Sequence, residues 1–332
     1  MVAKSTSTAL SSTASSADRT FSYLSGLNEA QYEAVSQPLH TVTRVVAGPG
    51  AGKTRVLTCR IVHLLRKDES RILAVTFTRK AADEMQHRLK GMLEELHEER
   101  GITPSDGGLM PIDRVTLGTF HSVCSKILRW NGKLLETLPS VVETMKDSTN
   151  TTALDGNYAI LDQGDQIRLV KELTNARGIK LDGGKIAVKP LSIVSCFSKL
   201  KADDPIEAKE LQRNPALKIA ADIFPDYRQH LFATNSLDFD DLIYVTKELL
   251  EVHEDVRAAL QRRWTHVLVD EFQDTSQTQL DLVKFLTNDS LLVVGDADQS
   301  IYSWRGANVE SMADFHGVFP QTKTVYLMEN YR

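Results

Sequence analysis

Hydrophobic periodicity is absent from the first stretch of the chain and sets in at about residue 24. From there, short apolar runs alternate with segments whose apolar residues recur at helical spacing. The runs are 42–46 (VTRVV), 71–77 (RILAVTF), 114–119 (RVTLGT), 265–269 (THVLV), 291–295 (LLVVG) and 323–327 (KTVYL). Several are almost continuously apolar, as expected of strands buried on both faces of a parallel sheet. Between the first two runs, Val56, Leu57, Ile61, Leu64 and Leu65 share one helical face. Between the second and third, Ala82, Met85, Leu89, Met92 (or Leu93) and Leu96 do the same, with Gly101 as the stop signal. This alternation predicts an α/β fold built on a parallel sheet.

Residues 122–236 break the rhythm. They read as mostly helical, with loop-like interruptions at 146–157 and 182–190. The pattern predicts a helical subdomain inserted into the α/β core, which resumes at 237. No internal repeat is visible. Eleven of the first 23 residues are Ser or Thr, and the only basic residues among them are Lys4 and Arg19. Residues 1–23 therefore read as a disordered tail; a transit peptide would carry more arginine.

Composition narrows this picture modestly. A chain of 332 residues with 42% hydrophobic and 25% charged content has room for one large domain or two ordinary ones. No apolar run approaches the roughly 18–20 residues that span a bilayer, so no membrane partner is expected. Cys59, Cys124 and Cys196 are scattered without a CxxC pair, which points to neither a disulfide framework nor a zinc site. A reducing compartment is the default. The net charge of −5 argues against a bulk electrostatic DNA binder. It leaves open a narrow groove that holds one strand locally.

Two segments carry the chemistry. Residues 47–54 read AGPGAGKT, between an apolar strand and an amphipathic helix, the context a phosphate-binding loop requires. Its members are Ala47, Gly48, Pro49, Gly50, Ala51, Gly52, Lys53 and Thr54, with Ala47 where the strict pattern has glycine. Glycines let backbone N–H groups turn toward phosphate oxygens, and the helix N-terminus adds its dipole. Lys53 would reach the β and γ phosphates, and the Thr54 hydroxyl would hold Mg²⁺. Residues 267–275 read VLVDEFQDT, placing two acids at the carboxyl end of a strand, where ligand crevices open. Asp270 suits Mg²⁺ and Glu271 suits the polarisation of an attacking water.

Further segments make the reading specific. In order they are LNEAQ at 27–31, TFTRKAA at 76–82, TFHS at 119–122, DEFQDT at 270–275, VGDADQSIYSWRGA at 294–307 and LMENYR at 327–332. ILDQGDQIRL at 160–169 and LDFDDLI at 237–243 add to the series. Over residues 24–332 the chain resembles the UvrD/Rep/PcrA group of superfamily 1 DNA helicases. The resemblance implies a RecA-like P-loop NTPase sheet at 24–121 and 237–322, an accessory subdomain at 122–236, and the use of ATP and Mg²⁺.

The resemblance also implies residue roles. Gln31 would read adenine, Arg55 would line the nucleotide pocket and Tyr331 would stack on adenine. Gln299 would sense the γ-phosphate, and Arg332 would stabilise the transferring phosphoryl group. Phe77, Phe239, Tyr302 and Trp304 would stack on bases of single-stranded DNA. Thr76, Arg79, His121 and Arg305 would add backbone or base-edge contacts, with a purely structural hydrogen bond as the alternative for His121. Family members move 3′→5′, act at duplex junctions and serve DNA repair or recombination. Such a protein would be nuclear in a eukaryote and otherwise cytoplasmic, although no basic import cluster is present. Residues 323–332 are expected to open a second RecA-like domain, with the strand at 323–327 short of partners and Tyr331 and Arg332 on a free terminus. Two function classes follow: a helicase of which this is the ATP-binding part, or a domain that binds nucleotide and single-stranded DNA without unwinding.

Overall fold

The computed structural model of this chain describes residues 21–67, 70–100, 111–146, 154–181, 187–202, 207–296 and 315–331. Its centre is a six-stranded parallel sheet, formed by β1 (Val42–Ala47), β2 (Ile72–Thr76), β3 (Val115–Thr119), β6 (His266–Val269), β7 (Leu291–Gly295) and β8 (Lys323–Leu327). The order across the sheet is β3-β2-β6-β7-β1-β8.

Side chains alternate between the two faces of each strand, and both faces are covered. Leu73, Val75, Val267, Val269, Leu291 and Val293 belong to one apolar cluster, together with residues of α4 (Phe120–Trp130), α10 (Asp241–Val252) and α12 (Gln277–Leu286). Ile72, Ala74, Leu268, Leu292 and Val294 belong to the other, with α1 (Glu29–Val35), α2 (Lys53–Lys67) and α3 (Arg79–Arg100). This is why the sequence runs are continuously apolar: each residue contributes about 1.5–3 kcal/mol of burial on one side or the other.

Between β3 and β6 the chain passes through α4, α5 (Pro139–Met145), β4 (Ala159–Leu161), α6 (Gln163–Ala176), α7 (Pro190–Lys201), α8 (Ala208–Arg213), α9 (Pro215–Ala233), β5 (Ser236–Asp238), α10 and α11 (Glu254–Arg263). The apolar interior of these helices, including Phe197, Tyr227 and Phe232, is continuous with the first face of the sheet. Strands β4 and β5 pair in parallel, Ala159 with Ser236 through Leu161 with Asp238. Sequence periodicity does not reveal them, because three residues are too few to show a period.

Two expectations are corrected. The tail was expected to run through residue 23, but Tyr23 and Leu24 are buried, and Ser22–Leu24 form a 3₁₀ turn. The Tyr23 hydroxyl lies 3.1 Å from His63 Nδ1 and accepts from Arg66 Nε, so the segment is anchored on α2. The strand at 323–327 was expected to open a second domain, with few partners there. It instead forms the sheet's edge, paired with β1 from Thr43–Lys323 to Ala47–Leu327. Val325 and Leu327 are buried, and this packing holds it there.

Candidate functional site

Parallel strands deliver all their carboxyl ends to one edge of the sheet, and the functional residues gather there. After β1, the loop at 48–52 turns into α2, whose first residues are Lys53 and Thr54. Gly50 and Gly52 have φ of 76° and 83°, the left-handed region that glycine enters without penalty. A Cβ on Gly52 would lie 2.7 Å from Gln31 Nε2.

Gln31 accordingly sits under the loop. Its Oε1 accepts from the Asn28 N–H at 3.2 Å, and its Nε2 donates to the Ala51 carbonyl at 3.0 Å. Asn28 and Gln31 form a reciprocal cap on α1. Gln31 is only 2% exposed. The amide expected to read adenine also braces the loop. Arg55 is exposed, and its guanidinium donates to the Ser25 carbonyl at 2.8 Å.

Tyr331 was expected on a free terminus. It lies against the loop instead: its N–H donates to the Gly50 carbonyl at 3.0 Å, and its hydroxyl accepts from Asn28 Nδ2 at 2.8 Å. The hydroxyl itself donates to Glu329, and the ring remains exposed. Arg332 lies outside the described residues.

After β6 come Asp270 and Glu271. Asp270 is buried, and burial first, then the neighbouring Glu271, pushes its carboxyl up to about 7. Glu271 adopts a left-handed backbone (φ 48°), an uncommon conformation for a residue with a side chain. It turns its carboxylate to Lys53, with Nζ and Oε2 3.1 Å apart. Gln273 donates to the same oxygen at 2.8 Å, while its Oε1 accepts from the Asp296 N–H at 3.0 Å. Gln273 is thus a link between the acid pair and the segment after β7 that sequence reasoning did not single out. It stands inside DEFQDT, but nothing local in the sequence signals a contact across 23 positions. Asp274 was also missed. Its Oδ1 is buried without a hydrogen-bond partner, and burial and Glu271 raise its carboxyl.

The Asp270 carboxylate and the Thr54 hydroxyl are hard oxygen donors of the kind Mg²⁺ takes together with phosphate oxygens. The buried, charge-crowded Asp270 fits a cation in particular.

The expected strand-binding residues occupy the same edge farther along. Thr76 and Thr119 are register partners at the ends of β2 and β3. Thr76 is 1% exposed, and its hydroxyl donates to the Thr78 carbonyl, so it shapes the turn and does not face solvent. Phe77 is half-buried, and Arg79 is exposed at the start of α3. His121 and Phe239, 118 positions apart in the chain by their numbers, pack with ring centroids 4.5 Å apart and planes tilted by 33°. Phe239 is 45% exposed. Burial holds His121 below the usual histidine range against an opposing pull from Asp240, so its ring is neutral at pH 7 and suited to stacking. Gln299, Tyr302, Trp304 and Arg305 lie outside the described residues.

A doubly covered parallel sheet with a phosphate loop after one strand and an acid pair after another defines a RecA-like nucleotide-binding domain. The chain belongs to the UvrD/REP helicase N-terminal domain family, whose model matches residues 27–320. It is 35% identical over 316 residues to the ATP-dependent DNA helicase PcrA of Bacillus subtilis, covering 93% of this chain and 38% of that protein. It is 35% identical to a probable DNA helicase II homolog of Mycoplasma capricolum, covering 92% of this chain and 39% of the relative. It is 35% identical to the ATP-dependent DNA helicase UvrD1 of Mycobacterium tuberculosis, covering 93% of this chain and 38% of that protein. The chain thus spans less than two-fifths of the length of these relatives. Among the described residues, no helix is long and apolar enough to cross a membrane.

Proposed function

We propose that the chain is the ATP-binding part of an ATP-dependent DNA helicase that couples hydrolysis to movement along single-stranded DNA and to unwinding. The carrying observation is the 3.1 Å pair between Lys53 on the phosphate loop and Glu271 after β6. It brings a phosphate-binding cation and a water-polarising acid together across 218 positions.

In this reading, Lys53 exchanges Glu271 for the β and γ phosphates, which frees Glu271 to orient and polarise the attacking water. Thr54 and Asp270 would hold Mg²⁺, which would supply charge neutralisation at the phosphates. Gln273 keeps Glu271 oriented and tied to Asp296. Gln31 braces the loop and reads adenine, and the exposed Tyr331 ring offers the adenine a face. Gln299 and Arg332 keep the γ-phosphate roles that the resemblance gives them. Residues 122–236 form the accessory insert. His121 and Phe239, with Phe77, Tyr302 and Trp304, form a stacking platform for bases, and Arg79 and Arg305 contact the backbone. Direction 3′→5′, action at duplex junctions, service in repair or recombination, and a nuclear or cytoplasmic site rest on resemblance to the family.

The test is binding of a fluorescent ATP analogue with Mg²⁺. Lys53→Ala removes charge-assisted hydrogen bonds worth about 1.5–3 kcal/mol and is expected to weaken binding roughly 10- to 150-fold. Undiminished binding and hydrolysis in that variant would remove the site. The second reading, a domain that binds nucleotide and single strands without unwinding, is separated by strand displacement: unwinding by these residues alone sets it aside.

A further inference from the structure

The turn that presents Phe239 is held by a buried ion cluster with no part in the proposed nucleotide chemistry. Lys201, the last residue of α7, places Nζ 2.5 Å from Asp238 Oδ1 and 2.7 Å from Asp241 Oδ1. The three side chains are no more than 3% exposed. The two aspartates cap each other across the turn. The Asp238 N–H donates to Asp241 Oδ2 and the Asp241 N–H to Asp238 Oδ1, each at 3.0 Å. Tyr227 of α9 donates its hydroxyl to Asp238 Oδ2 at 2.9 Å. Ser198, also on α7, donates to the Asp240 carboxylate.

Every acid flanking Phe239 is therefore tied to a helix of the insert, and Phe239 alone is left outside against His121. Two carboxylates and one ammonium are a poor choice for stability alone, since a buried ion cluster is often matched or bettered by apolar residues of similar volume. What the cluster does provide is a fixed turn. The reciprocal caps require both carboxylates to stay close together, and the Lys201 ammonium offsets their repulsion.

We propose that the carboxyl end of α7, through Lys201 and Ser198, positions the single-strand platform by locking the turn that holds Phe239 over His121. Lys201 is a positioning residue here and touches no base. The inference rests on Phe239 and His121 being the platform proposed above.

The test is a double-mutant cycle on the whole chain, read as affinity for a fluorescent oligothymidylate. Phe239→Ala is expected to weaken binding about tenfold, the loss of one stacked base. Lys201→Met is expected to weaken it several-fold with nucleotide affinity unchanged. It should cost nothing further in the Phe239→Ala background, because its effect passes through that ring. If Phe239→Ala binds like wild type, the platform reading itself falls. If Phe239→Ala is weakened but Lys201→Met binds like wild type, or its cost persists undiminished in the double variant, the positioning role alone is overturned. Should Lys201→Met fail to fold, Ser198→Ala carries the same cycle, since it removes a single half-buried hydroxyl. Loss of oligonucleotide affinity absent in the Phe239→Ala background supports the role, and unchanged or independent loss overturns it.

Discussion

Asp270 holds its proton unusually tightly, and the sign of that shift makes a prediction at the residue scale. An aspartate in an unfolded chain titrates near 3.9, whereas here burial and Glu271 push it up to about 7. The folded chain therefore binds a proton more tightly than the unfolded chain between those values. Its stability falls as pH rises through that window, and the full penalty is present above 7. At about 1.4 kcal/mol per unit, the penalty is at most a few kcal/mol. Asp270→Asn removes the charge without removing the volume. Thermal melting in a chelator should show this variant more stable than wild type at pH 8, with the gap closing toward pH 4. A variant no more stable at pH 8 would mean that Asp270 is not desolvated as the structure has it. The acid pair and the phosphate loop were legible in the sequence because their chemistry is local, a few residues at fixed spacing beside a strand end. The contacts of Gln31, Gln273 and Tyr331 were not. Gln31 meets Ala51 only because the loop folds over α1, and Asn28 meets Tyr331 across 303 positions.

At the scale of elements, β8 is the clearest departure from what the sequence suggested. It completes the sheet beside β1 and places Leu327 in the same apolar cluster as Val45 and Leu57. Leu327→Ala should then cost about 2–5 kcal/mol, as for other buried leucines. Tyr326→Thr, at the neighbouring exposed position, should stay within about 0.5 kcal/mol. Chemical denaturation of both variants measures this, and equal effects would detach β8 from the sheet. The other five sheet strands fall within a residue or so of their runs, and for β2, β6 and β7 burial on both faces writes the strand as a nearly unbroken apolar run. Edge strand β8 shows only partial burial, so its run was visible but its partner was not. Strands β4 and β5 were invisible for a different reason: three residues are too few to show a period, and their pairing joins Ala159–Leu161 to Ser236–Asp238 across the helices of the insert.

For the whole molecule, charge and platform have to be reconciled. A net charge of −5 repels a polyanion at long range, so the proposed single-strand binding needs a local site, and the proposal puts it where the sheet edge meets the insert. There the structure offers packed rings, His121 against Phe239, and the exposed cation Arg79 at the head of α3. Stacking is insensitive to salt, whereas each neutralised phosphate adds about −0.7 to the slope of log affinity against log salt for a single strand. A platform with one or two phosphate contacts should show a slope of about −0.7 to −1.4. Arg79→Ala should flatten the slope by about 0.7 while leaving most of the affinity at high salt. Titrating oligothymidylate binding between low and high salt decides the matter. A slope several times steeper would place binding on a basic track elsewhere on the surface and remove the His121–Phe239 edge from the centre of strand recognition.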